Sequence, residues 1–215
     1  KLSQNEIKLN ERKREILNLR GLKLTNDSER FDLSFYENEI VSITGLIGSG
    51  KTTLASQIFG LIPNSKVKMT LNGNSYRPKS PKDAIAAGVF MCPKDRASNA
   101  VISEFDISNN LAVPFFKKHS SLSFLRPKSL TQNAKNSIDE LGIVCQSEID
   151  SVTTLSGGNQ QKVMVGRWLA EESFVLLLDE PFQGVDIKAR RDIGLQIRST
   201  SGKRATLIFV AELDE

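Results

Sequence analysis

Lys51 and Thr52 close the stretch "GLIGSGKT" (45–52), in which three of eight residues are glycine. Glycine is costly to order, so this density means that the backbone itself must approach something. Gly45, Gly50, Lys51 and Thr52 fit G-x-x-x-x-G-K-[ST], a loop that cradles phosphate. Its binding positions run Gly45, Leu46, Ile47, Gly48, Ser49, Gly50, Lys51, Thr52, Thr53. N–H groups turn toward phosphate oxygens, Lys51 reaches the β- and γ-phosphates, and the Thr52 hydroxyl ligates Mg²⁺. The implied ligand is ATP with its Mg²⁺.

Two further groups carry chemistry. "FVLLLDE" (174–180) is an apolar run closing on Asp179 and Glu180. A phosphate loop needs an acid from a neighbouring strand end to hold its metal, and Asp179 takes that part. Glu180 can orient and deprotonate the attacking water. Alone, such a run reads equally as a plain strand end; the glycine loop upstream decides for the metal site. "LSGGNQQKV" (155–163) places Ser156, Gly157 and Gly158 at a helix start, whose free N–H groups favour an anion.

Elements must position these groups. "EIVSITG" (39–45) is a β-branched strand entering the loop, and "KTTLASQIFGL" (51–61) leaves it as a helix with Leu54, Ile58 and Ala55, Phe59 four apart. "FVLLLDE" and "ATLIFVA" (205–211) read as strands buried on both faces of a parallel sheet. "DIKARRDIGLQIRS" (186–199) is the crossover helix between them, with Ile193 and Ile197 inward. Alternation at Phe31, Leu33 and Phe35 predicts an antiparallel strand and a hairpin into the next strand. Val67, Met69 and Leu71 predict another strand, ending at the Asn72-Gly73 turn. Residues from about 78 to 150 show little strand character and predict an inserted helical sub-domain. Within it, "SLTQNAKNSIDELG" (129–142) is a helix with Thr131 as N-cap and Gly142 as its stop. Residues 1–17 are polar and mixed in charge and read as a linker, with the domain occupying 18–215.

Composition fits this reading. The 215 residues carry a net charge of +4 with 39% hydrophobic and 25% charged content, which is ordinary for a globular domain. Lysines and arginines are scattered, so nucleic acid is not an expected partner. No apolar run reaches the ~18 residues of a membrane span. Cys92 and Cys145 are too few for a disulfide framework. The single histidine, His119 in "KKHSS", reads as a solvated loop residue.

"LSGGNQQKV", in this order between the glycine loop and "FVLLLDE", resembles the signature of ABC-type ATPases, whose pattern is LSGGQ. With "DEPFQGVD", "AELDE" and "CPKDR" (92–96), the chain is similar to the second ATPase half of tandem simple-sugar importers, those for ribose, galactose, xylose or autoinducer-2. The resemblance implies an α/β P-loop NTPase of RecA-like type: a mostly parallel core, an antiparallel β sub-domain and an inserted helical one. Segment 1–17 then links to a first ATPase half, and further residues follow Glu215. The P-loop of one half closes ATP against Ser156, Gly157, Gly158 and Gln160 of the other, and Asp186 belongs to the D-loop between them. Lys94 takes the Q-loop position and Glu212 the switch position. Permease subunits are direct partners, a periplasmic or lipoprotein solute-binding protein an indirect one. The location implied is cytoplasmic, peripheral on the inner face of the membrane.

Several positions depart from the family pattern. Lys94 replaces a glutamine that touches Mg²⁺, and Glu212 replaces a histidine that contacts the γ-phosphate. Phe182 stands for a frequent threonine, and Asn38 for a glycine in a strand turn. Phe31 is the candidate for stacking on adenine, and it reads equally as core. Two other functions compete. A soluble ABC ATPase without a transporter should carry coiled-coil or basic insertions, which this chain lacks. A regulatory nucleotide clamp with little hydrolysis is favoured by Lys94 and Glu212, and opposed by Lys51, Asp179 and Glu180.

Overall fold

Two four-stranded sheets of opposite character contribute to one main hydrophobic core. The computed structural model describes residues 13–23, 29–46, 48–63, 67–94, 101–121 and 124–211. The first sheet is antiparallel, in the order β2-β1-β4-β5. Its strands are β1 (Glu15–Leu22), β2 (Phe31–Tyr36), β4 (Lys68–Leu71) and β5 (Asn74–Tyr76). The second is parallel, in the order β3-β10-β9-β6, from β3 (Glu39–Thr44), β10 (Ala205–Val210), β9 (Val175–Asp179) and β6 (Val89–Cys92). Every residue of β6, β9 and β10 is buried, which is why these strands read as unbroken apolar runs.

Six helices are described: α1 (Lys51–Ile58), α2 (Pro81–Ala86), α3 (Ile107–Ala112), α4 (Pro127–Leu141), α5 (Gly157–Leu169) and α6 (Ile187–Ser199). Ala55, Ile58 and Phe59 of α1, and Ile193 and Ile197 of α6, are buried as their spacing predicts. A second, smaller core gathers Ile107, Leu111, Ala134, Leu141, Val152 and Val163. Helix α5 bridges the two cores: Val163 faces the small one, Met164, Val165 and Trp168 the large one.

The expected hairpin at 36–39 does not form. After the turn at Asn38, whose φ is 56°, the chain leaves one sheet and enters the other. The turn N–H of Asn38 donates to Arg204 O (2.9 Å) and that of Glu37 to Arg14 O (2.9 Å), so each end is tied to a different element. Asn72 and Gly73, both with positive φ, do make the expected turn between β4 and β5.

Other expectations need correction. The boundary at residue 17 falls inside β1, where Ile16 and Leu17 are buried. Segment 78–92 is not part of the helical insertion: α2 packs on the main core and β6 is a central-sheet strand. Helix α4 starts at Pro127 rather than Thr131, because a proline at the first helical position brings its φ pre-set. Gly142 ends it in the left-handed conformation, as predicted. His119 is buried, with Nδ1 2.9 Å from Ser129 Oγ, not solvated. Phe31 is half-buried and packs on the main core.

Candidate functional site

Parallel pairing sets the site. Ile43 and Asp179 both pair with Phe209, so the ends of β3 and β9 stand level on either side of β10. The loop after β3 and the acids ending β9 therefore emerge on one edge of the sheet, where open α/β sheets bind ligands.

In the loop, Gly48 (φ 84°) and Gly50 (φ 90°) are left-handed with open space around them, so conformation alone demands glycine there. At Gly45 a Cβ would come 2.8 Å from Ser49 Oγ, so a larger residue there would turn that serine aside. No side chain caps the N-terminus of α1, which opens at Lys51. The Lys51 ammonium folds back over the loop and donates to the carbonyls of Gly45 and Leu46. Thr52 and Thr53 are exposed in the first turn. Ile47 lies outside the described residues, as does Glu212.

Asp179 is 1% exposed, and neither carboxylate oxygen makes a well-formed hydrogen bond among the described residues, the Thr52 hydroxyl being the side-chain donor beside them. Burial pushes its pKa up. Thr52 beside it, and Lys94 and Lys51 farther off, pull it down, while Glu180 adds to the rise. A buried carboxylate next to a threonine hydroxyl offers the oxygen ligands that a hard divalent cation takes. The donor set thus fits Mg²⁺. Glu180 is buried and left-handed (φ 49°), and its N–H donates to Phe209 O at 2.9 Å. A non-glycine residue held there stores about 1–3 kcal/mol, a pattern that clusters at functional sites.

A cavity of about 890 Å³ opens beside these groups, between Thr52 and Asp179 on one side and Lys94, Arg167 and Trp168 on the other. Arg167 is fixed on Asn110, through Nε to its carbonyl (2.6 Å) and Nη2 to Oδ1 (3.1 Å). Burial lowers the Arg167 pKa to about 10.

Ser156 is the N-cap of α5 and Asp186 the N-cap of α6. The two helix starts touch: a Cβ on Gly158 would lie 3.1 Å from Ala189 Cβ and 3.6 Å from Asp186 Oδ2. Gln160 turns back, its Nε2 on the Leu155 carbonyl at 3.1 Å. Gln161 ties the helix to the β9 turn through Pro181 O (2.8 Å), a link sequence reasoning passed over. It also passed over Asn159, which holds Ser156 and the 142–150 segment together. The described partners of the Ser156 hydroxyl are on Asn159, and none belongs to the phosphate loop.

A glycine loop opening a helix at one strand end, a buried acid at the next-but-one, and a Ser-Gly-Gly helix start apart from both define a P-loop nucleotide-binding cassette. Residues 28–183 match the family described as ABC transporter, and the chain belongs to that family.

Among its relatives is the galactose/methyl galactoside import ATP-binding protein MglA of Fusobacterium nucleatum subsp. nucleatum, 34% identical over 96% of this chain and 42% of that protein. The ribose import ATP-binding protein RbsA 2 of Rubrobacter xylanophilus is 34% identical over 93% and 39%. The arabinose import ATP-binding protein AraG of Chromohalobacter salexigens is 37% identical over 83% and 36%. The chain thus spans about two-fifths of the length of these curated relatives.

Solved structures with the same fold include the ADP conformation of an ATP-binding cassette of an ABC transporter (TM-score 0.75, 20% identity, 93% of this chain and 82% of that one). Another is a dimeric bacterial ABC transporter cassette (TM-score 0.75, 18% identity, 93% and 89%). The parallel core, antiparallel sheet and helical second core agree with the predicted fold class. No described helix is long and apolar enough to cross a membrane.

Proposed function

We propose that this chain binds and hydrolyses ATP to power import of a simple sugar or related small solute through an ABC transporter. The observation that carries the chemistry is Asp179, a buried acid beside the Thr52 hydroxyl at the mouth of the Lys51 loop. The names of the relatives, all sugar import ATP-binding proteins, support the substrate class.

Loop N–H groups and the start of α1 receive the ATP phosphates, and Lys51 exchanges its loop carbonyls for phosphate oxygens. Thr52 and Asp179 are the residues that would hold Mg²⁺, and the bound ion would supply positive charge against the phosphates. Glu180 orients the attacking water and takes its proton. The Ser156-Gly157-Gly158 start completes the site of a second ATPase half, with Asp186 at that junction. Permease subunits dock on the same domain, at the inner face of the membrane, and a solute-binding protein acts through them.

The test uses the full-length protein with its permease in vesicles. Lys51→Ala should abolish tight ATP binding at this site and slow both hydrolysis and sugar uptake. Unchanged ATP affinity in that variant would overturn the loop assignment. ATP hydrolysis without coupling to any sugar would overturn the transport reading.

A further inference from the structure

We infer that Asn159 is a positioning residue that fixes the direction of the Ser156 hydroxyl proton. The inference rests on the proposed role of Ser156 toward the phosphates of a second ATPase half.

The argument starts from Val144. Its backbone N–H can only donate, and it lies 3.0 Å from Asn159 Oδ1. That contact settles which end of the amide is which. The other end, Nδ2, then faces Ser156 Oγ at 3.0 Å and donates to it. The Asn159 backbone N–H reaches the same oxygen at 3.4 Å. A serine hydroxyl has two acceptor lone pairs and one O–H. Both lone pairs are committed inward, so the proton is the part of the group left to act outward. Ser156 is exposed and opens α5, and its hydroxyl is thereby set as a donor for an anion. A hydrogen-bond chain runs from Val144 N–H through the Asn159 amide to the Ser156 oxygen, with one polarity throughout. Segment 142–144 is itself anchored to α5, through Lys162 on Gly142 O at 2.9 Å.

Asn159→Asp keeps size and shape and still accepts from Val144. Its second oxygen, however, accepts where Nδ2 donated, so the Ser156 proton turns inward. Asn159→Ala frees the hydroxyl without reversing it. An aspartate in the first turn also favours the helix dipole, so folding is not put at risk.

The experiment measures kcat and KM for ATP on the full-length protein, with thermal unfolding as a control. Loss of one transition-state donor costs about 10²–10³ in rate. Ser156→Ala and Asn159→Asp should each lower kcat by about a hundredfold, with Asn159→Ala falling between them and wild type. In a Ser156→Ala background, Asn159→Ala should change kcat by no more than about twofold, since both act through one proton. If Ser156→Ala turns over at the wild-type rate, the phosphate-facing role of Ser156 falls, and this inference with it. If Ser156→Ala is slow but Asn159→Ala multiplies that loss, or Asn159→Ala is as slow as Asn159→Asp, the inference alone falls.

Discussion

Lys162 of α5 is paired with Asp192 of α6 at 2.7 Å, and the lysine side chain is only 4% exposed. The pair joins the helix that starts at Ser156 to the helix that starts at Asp186. Its other bond, to Gly142 O, closes the helical sub-domain onto the same point. The two helix starts of the proposed second-half site are thus held in one frame by a buried charge.

Removing the partly exposed Asp192 leaves the buried Lys162 ammonium with the Gly142 carbonyl as its described partner, a loss below the roughly 3–5 kcal/mol of a fully buried pair. Asp192→Ala should therefore destabilise the protein measurably. Lys162→Met, which deletes the buried charge and keeps the apolar stem, should cost clearly less. Chemical denaturation of both variants checks the order. Equal losses would mean that packing, not charge, holds the helices.

Gly166 and Gly194 are both helical glycines with opposite expected outcomes. A Cβ on Gly166 would meet Leu141 Cδ1 at 2.4 Å and Leu111 Cδ2 at 3.4 Å, whereas one on Gly194 meets nothing within 4 Å. Gly166→Ala should cost about 1–3 kcal/mol by overpacking. Gly194→Ala should gain about 0.5–1 kcal/mol from helix propensity. Adding Leu141→Ala should make Gly166→Ala less harmful than it is alone. Melting temperatures of the three variants decide the matter, and a stabilising Gly166→Ala would refute the close crossing of α4 and α5.

Much of this was legible because it is local. The glycine loop, the buried runs of β9 and β10, the α1 and α6 stripes and the Asn72-Gly73 turn each declare themselves within a few residues. Strand β6 stayed hidden because "VFMC" has four residues and no period to separate a strand from a buried turn. The α4 start was misplaced because Thr131 offers a capping side chain while Pro127 acts through backbone geometry. The hairpin expected after β2 failed because alternation shows which face is buried, not which sheet comes next. Asn159 and Lys162 were passed over for another reason. Their roles exist only through Val144, Gly142 and Asp192, and no local pattern announces a remote partner.

Cys92 ends β6 fully buried, and burial pushes its thiol up to about 12 from 9.0, with Arg167 pulling down and Asp179 pushing up. The folded state therefore keeps a proton that the unfolded chain gives up. This contribution is complete below pH 9 and is lost as the pH rises from about 9 to about 12. Cys92→Ala should lower overall stability but flatten its fall with alkali. The difference in slope should approach one proton, roughly 1.4 kcal/mol per pH unit. Unfolding free energies measured from pH 8 upward test this, and parallel slopes would contradict it.

Glu180 joins function to strain most directly. It follows β9 with φ 49°, buried, next to the buried Asp179. Glycine takes this conformation freely, whereas other residues pay roughly 1–2 kcal/mol. Glu180→Gly should therefore raise the melting temperature while ATP hydrolysis is lost, because no group remains to take the water proton. Glu180→Gln keeps the side-chain shape and the left-handed backbone, so it should remove hydrolysis, hold bound ATP and gain less stability than the glycine variant. The pair separates the two roles: backbone strain is relieved only by glycine, while the proton acceptor is lost in both. Hydrolysis that survives in Glu180→Gln would assign the proton to another group. A Glu180→Gly protein less stable than wild type would show that the left-handed turn is not where the strain lies.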